Sequence, residues 1–135
     1  MRIFVDTNII ISSMLFPDGK VAKVFSYLLE NHTVVISSYS KKECKTVFKK
    51  KFPSKIKLLE IFFQGINFEE FTTPKKLNQK EFPKIRDLKD LPVLASAILS
   101  DSDILLTGDK DFKDIKIEKP LIFTPAEYYE LLFPS

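Results

Sequence analysis

The apolar positions of this chain change their period several times, and the changes mark out its elements. Ile3-Phe4-Val5 is an unbroken apolar run that stops at Asp6, the pattern of a short strand buried on both faces. Ile9 to Phe16 continues as one or two helical turns before the Pro17-Asp18-Gly19 break. Val21, Val24, Phe25, Leu28 and Leu29 recur at intervals of three and four, which predicts an amphipathic helix over residues 20–30. Thr33 to Ile36 is a second buried strand. Cys44, Val47, Phe48 and Phe52 define the inner face of the next helix, for which Ser37, Ser38 and Ser40 are all candidate N-caps. Pro53-Ser54 opens a further helix carrying Ile56, Leu59, Ile61, Phe62 and Phe63, and a weak alternation over Phe68 to Phe71 suggests a strand. Residues 72–89 are polar and proline-bearing and read as a long loop. A helix from Asp90 through Leu99 tolerates Pro92 in its first turn. Strands follow over Asp103–Thr107 and Pro120–Phe123, and Thr124-Pro125-Ala126-Glu127 caps a C-terminal helix.

Strands alternating with helices predict a three-layer α/β/α fold with a mainly parallel sheet. The 135 residues suit one domain over 1–135, with a core that needs no disulfide. The single cysteine, Cys44, excludes an intramolecular disulfide and fits a reducing, cytoplasmic setting. The N-terminal Met-Arg-Ile-Phe-Val-Asp lacks the succession of a signal peptide, and no apolar run approaches the roughly 20 residues of a membrane span. A soluble protein with no membrane association is expected.

Charge changes the picture once it is located. The net charge is only +3, yet residues 41–57 hold eight lysines and a single acid, Glu43, leaving the rest of the chain net acidic. A basic stretch in an otherwise acidic chain suits a polyanion-binding surface, although a lysine-rich solvated helix face has the same composition.

Ligands of open parallel sheets bind outside the carboxyl ends of the strands. Asp6 ends the first strand, Asp109 lies two residues past the strand that finishes at Thr107, and Glu43 rides on the helix after the second strand. Asp87 and Asp90 approach the helix that leads into the Ile104 strand. Acids converging there must protonate, separate or bind a cation, because two charges ~4 Å apart repel by about 1 kcal/mol in water and ~4 kcal/mol at an effective dielectric near 20. All-oxygen donors suit Mg²⁺ or Mn²⁺, and one Cys with one His cannot build a closed zinc site. Asn8 and Thr107 are uncharged neighbours suited to orienting carboxylates or a bound water. Each residue has a structural alternative. Asp6 and Asp109 can cap turns, Asp111 can cap the turn near Phe112, and Ser40-x-x-Glu43 matches a capping box.

At these residues the chain resembles a known family. Phe4-Val5-Asp6-Thr7-Asn8 is similar to the opening of PIN-domain ribonucleases, and Thr107-Gly108-Asp109-Lys110-Asp111-Phe112 to their closing acidic motif. Ser37 followed by Glu43-Cys44 fits the helix-borne glutamate, and Arg86-Asp87-Leu88-Lys89-Asp90 with Pro92 resembles the middle motif of a VapC-like branch of toxin components. The resemblance implies a metal-dependent endoribonuclease with Asp6, Glu43 and Asp109, joined by Asp87 or Asp90, around Mg²⁺ or Mn²⁺, and with Asn8, Thr107 and Asp111 in support. Lys41, Lys42, Lys45 and Lys49 would grip RNA, an antitoxin protein would be the partner, and a homodimer is the expected assembly. One position departs from the pattern. The branch commonly reads Asp-Asp-Pro, but Leu91 precedes Pro92 here. A one-residue displacement on a helix turns a side chain by roughly 100°, which leaves two places for Asp90: an N-cap with no metal contact, or, like Asp87, a ligand that reaches the cleft through the loop. Loss of that acid would leave a catalytically weakened RNA- or partner-binding module as the alternative function. Phosphotransfer with Asp6 as nucleophile expects a second acid at position 8, which is Asn8.

Overall fold

Ile3, Phe4 and Val5 have no solvent exposure, as the central position of their strand requires. In the computed structural model, which describes residues 1–135, β1 (Arg2–Val5) lies between β2 (Thr33–Ser37) and β4 (Ile104–Leu106). Strands β3 (Glu69–Phe71) and β5 (Leu121–Phe123) complete a five-stranded sheet in the order β3-β2-β1-β4-β5, with every pairing parallel.

The two-residue period of the strands sorts the core into two layers. Ile3, Val5, Val34, Ile36, Ile104 and Leu106 face one side, with Ile10 of α1 (Thr7–Leu15), Val24 and Leu28 of α2 (Lys20–Asn31), and Cys44 and Phe48 of α3 (Ser38–Lys51). Leu59 of α4 (Ile56–Gly65) and Tyr128 of α6 (Pro125–Leu132) join the same layer. Phe4, Val35 and Leu105 face the opposite side, against Val93, Leu94 and Ala97 of α5 (Leu91–Leu99) and against Ile85 and Phe112. Full burial of each large apolar side chain stabilises the fold by roughly 1.5–3 kcal/mol relative to exposure.

The predicted elements all form, and the refinements are at their edges. The sheet is wholly parallel. Residues 72–89 are mostly irregular, interrupted by short 3₁₀ turns at Gln79–Glu81 and Leu88–Asp90. Helix α3 starts from Ser37, whose hydroxyl accepts from the Ser40 amide at 3.0 Å, so the Ser40–Glu43 capping box does not form. Glu43 is thereby placed inside the helix, free to face the sheet edge. The capping box that does form joins Thr124 and Glu127 at the start of α6.

This topology fixes where a ligand cleft can be. The chain moves from β1 outward through β2 and β3, then returns to the other side of β1 with β4 and β5. Connections leaving the carboxyl ends of β1 and β4 therefore diverge, and the opening between them is the switch point of the sheet.

Candidate metal and nucleic-acid site

Asp6 stands at that opening and performs two tasks. It is the N-cap of α1, accepting from the Thr7 amide through Oδ1 at 2.7 Å. Its Oδ2 accepts from the Thr107 hydroxyl at 2.7 Å, and its own amide donates to the Leu106 carbonyl at 3.0 Å. The residue is only 6% exposed. Burial raises its pKa above the usual aspartate value, with Glu43 and Asp109 adding to the rise, while the bonds from Thr107 and Thr7 oppose it.

Glu43 is fixed from both sides. Thr7 Oγ1 donates to Oε1 at 2.7 Å, and the Tyr39 hydroxyl donates to Oε2 at 3.3 Å. Burial and the charge of Glu43 push the Tyr39 phenol up to about 12, so it remains a donor at neutral pH. Thr107 is 1% exposed; its bond to Asp6 joins the ends of β1 and β4, and its Oγ1 also accepts from the Asp109 amide at 3.1 Å.

The remaining acids sit on turns. Asp109 caps the 3₁₀ turn Lys110–Phe112 by accepting from the Asp111 amide at 2.9 Å. Asp87 caps the turn Leu88–Asp90 by accepting from the Lys89 amide at 3.0 Å. Asp87, Asp90 and Asp111 each bring a carboxylate oxygen to within 4.8 Å of the other two. Arg86 lies 3.8 Å from Asp111 and pairs with Asp114 at 3.0 Å.

Asp90 occupies the N-cap position of α5 without acting as its cap. It precedes α5 but makes no capping bond, because the 3₁₀ turn Leu88–Asp90 intervenes and its helical phase does not apply. Its carboxylate instead joins Asp87 and Asp111, and its buried Oδ2 has no hydrogen-bond partner. Burial first, then the neighbouring Asp109, Asp111 and Asp87, raise its pKa to about 7. Leu91, in the place where an acid was expected, is 8% exposed.

The other expectations divide. Asp111, expected in support, belongs to the close three-acid group, whereas Asp6 and Glu43 are connected through Thr7. Asn8 is exposed and bonds none of the carboxylates. Cys44 is buried, its thiol pushed up to about 12 chiefly by burial, which keeps it protonated and unsuited to bind metal. Thr7 and Tyr39 were missed. Tyr39 lies four residues before Glu43, a spacing that places the two on one helix face. Thr7 carries no comparable signal.

The lysines also separate. Lys42 and Lys45 line a cleft of about 680 Å³ that opens beside Tyr39, whereas Lys49 lies outside it. Lys41 reaches the cleft but pairs with Glu70 at 2.8 Å and packs over the rings of Phe63 and Phe68. Lys49, Lys50 and Lys51 occupy the last turn of α3, where positive charge complements the helix dipole.

Comparison with known proteins bears on this arrangement. The family model described as the PIN domain matches residues 2–111, a span that contains Asp6, Glu43, Asp87, Asp90, Asp109 and Asp111. The chain belongs to the PIN-domain family. This PIN domain is also similar in fold to a chain of the crystal structure of VapBC2 from Rickettsia felis bound to a DNA fragment from its promoter. The TM-score is 0.69 at 21% identity, covering 92% of this chain and 98% of that one. No curated protein matches the sequence significantly.

The donor set of this PIN domain fits a hard divalent cation. Its candidate ligands are all oxygens, one of them buried without a partner, and no imidazole or thiolate stands among them. No helix is long and apolar enough to cross a membrane.

Proposed function

We propose that this PIN-domain protein is a Mg²⁺- or Mn²⁺-dependent endoribonuclease that hydrolyses RNA phosphodiester bonds, and that it acts as the toxin of a toxin–antitoxin pair. The observation that carries the reading is the convergence of Asp6, Glu43, Asp109 and the Asp87–Asp90–Asp111 group on the switch point, with Asp90 Oδ2 left unpaired. Asp6, Glu43, Asp109, Asp87 and Asp90 would hold the metal, with Asp111 beside them. When bound, the cation supplies charge neutralisation, a coordinated water of lowered pKa and polarisation of the phosphoryl oxygens.

The chain's own contribution is orientation. Thr107 and the Thr7 amide fix both oxygens of Asp6, while Thr7 Oγ1 and Tyr39 fix both oxygens of Glu43. Positioned carboxylates present their remaining lone pairs without having to reorganise during reaction. Lys42 and Lys45 line the cleft beside Tyr39 and would attract the phosphate backbone without reading sequence. An antitoxin partner is supported by the family and by the likeness to VapBC2.

Leu91 favours the second reading, a module that binds RNA or a partner without cutting. The placement of Asp90 among the acids supplies the charge that Leu91 lacks, and it supports the nuclease reading instead. The test is incubation of the purified protein with mixed RNAs and Mn²⁺, alongside Asp6→Asn and an EDTA control. Metal-dependent cleavage lost in the variant is expected, and equal cleavage by both proteins removes the assignment.

A further inference from the structure

The cleft beside the acids has a second wall. Opposite Lys42 and Lys45 of α3, it is closed by the segment after β3, which carries Lys75 and Leu77, and by Leu88, Leu91 and Pro92 at the entry to α5. Leu88 is 57% exposed and, with Leu91 and Pro92, gives that wall of the cleft an apolar surface. Lys42, Lys45 and Lys75 have no ion-pair partner within 4.0 Å, in contrast to Lys41. The segment after β3 is anchored: the Thr73 amide donates to Ser38 Oγ at 2.9 Å, and the hydroxyls of Thr73 and Ser96 lie 2.9 Å apart. Lys75 therefore stands two residues from a point tied to both α3 and α5. The cleft adjoins the acids through two of its lining residues: Tyr39 donates to Glu43, and Leu91 follows Asp90 directly.

We infer that this cleft is a nucleotide subsite, holding an unpaired RNA nucleotide next to the cleaved bond, with its phosphate on Lys45 and Lys75 and its base against Leu88, Leu91 and Pro92. The inference rests on the nuclease reading for the polarity of the strand toward the acids, and it adds Lys75 and the apolar wall to the residues that bind RNA. The combination is that of a single-strand groove, in which cations follow the backbone and apolar surface covers a base. Such a wall offers no hydrogen bonds to base edges, so the subsite requires a base while discriminating weakly among them. Leu91 thus gains a role: the position where an acid was expected forms part of the base platform. A cleft of this volume lies within the usual range for a small ligand site.

The test is fluorescence anisotropy of a short fluorescein-labelled single-stranded RNA in EDTA across a salt series, using the full chain. Lys75→Ala should weaken binding several-fold and flatten the slope of log affinity against log salt by about 0.7, the release expected of one single-strand phosphate contact. Leu88→Ala should weaken binding several-fold at an unchanged slope, and Lys49→Ala should alter neither quantity. All three side chains are exposed, so circular dichroism should show intact folds. A loss in Lys49→Ala equal to that in Lys75→Ala would reveal a diffuse field in place of a subsite and overturn the inference. A Leu88→Ala variant that binds like the wild type overturns the base platform. Cleavage with Mn²⁺ is read separately. Binding with this pattern but no cleavage upholds the subsite and removes the nuclease reading, whereas cleavage with KM unchanged in both variants upholds the nuclease and removes the subsite.

Discussion

Asp6 and Glu43 are placed by regular elements, and each of their four carboxylate oxygens receives a hydrogen bond from Thr7, Tyr39 or Thr107. Asp87, Asp90 and Asp111 are placed by 3₁₀ turns and are less buried than Asp6, and Asp90 Oδ2 receives none. The first group is held in place without a cation. The second gathers like charge that only a proton, separation or a cation relieves. The comparison assigns them different duties, with one side setting geometry and the other creating demand for metal.

The largest effect should come from the first group. Asp6→Asn is expected to lower RNA cleavage by more than about 100-fold, beyond the 10- to 100-fold that loss of a supporting residue costs. Single-turnover assays with Mn²⁺ measure it, and a smaller loss would demote Asp6 to a helix cap. Thr107→Val should fall within that 10- to 100-fold range and destabilise the protein by about 1–3 kcal/mol, since it removes a donor from a buried carboxylate. Urea denaturation reads the stability, and an unchanged midpoint would mean that water replaces the hydroxyl.

Metal linkage probes the second group. Mn²⁺ at about 100 times its Kd should stabilise the wild type by about 2.7 kcal/mol. The gain should shrink in Asp90→Asn when both are measured at the same Mn²⁺ concentration. Equal gains in thermal scans would separate Asp90 from the metal. The smallest effect is one of pH. Asp90 is raised from 3.8 to about 7, so between those values the metal-free fold holds a proton that the unfolded chain releases. Stability in EDTA should therefore fall as pH rises through this window, with the loss complete above about 7. Asp90→Asn should flatten that slope and stabilise the protein at pH 8 by on the order of 1 kcal/mol, after allowance for solvent screening. A steeper slope in the variant would reverse the assignment.

The strands were legible because burial on both faces leaves runs such as Ile3-Phe4-Val5 and Ile104-Leu105-Leu106 without polar interruption. Asp6 and Asp109 were legible for a related reason: each is an acid at or just past the end of such a run, where parallel sheets open toward ligands. The orientation of Asp90 was not legible. A turn of 3₁₀ geometry before α5 invalidated the 100° per residue used to orient it, and nothing in Leu88-Lys89-Asp90 announces that turn. Lys41 was grouped with its neighbours because helix composition does not reveal Glu70, which arrives from β3. Thr7 escaped notice because its contact with Glu43 spans 36 positions and depends on how α1 meets α3.

The Thr107 hydroxyl carries one hydrogen and directs it at Asp6, while one of its two lone pairs is engaged by the Asp109 amide. That amide can only donate, so the sense of the bond from Asp109 to Thr107 is fixed. A proton placed on Asp6 Oδ2 would meet a hydroxyl already pointing at it, so the hydroxyl would have to turn its hydrogen away and accept through its second lone pair, with the Asp109 amide still bonded. The Thr107 hydroxyl therefore reverses its sense with the ionisation of Asp6, while the turn beyond β4 stays tied to it.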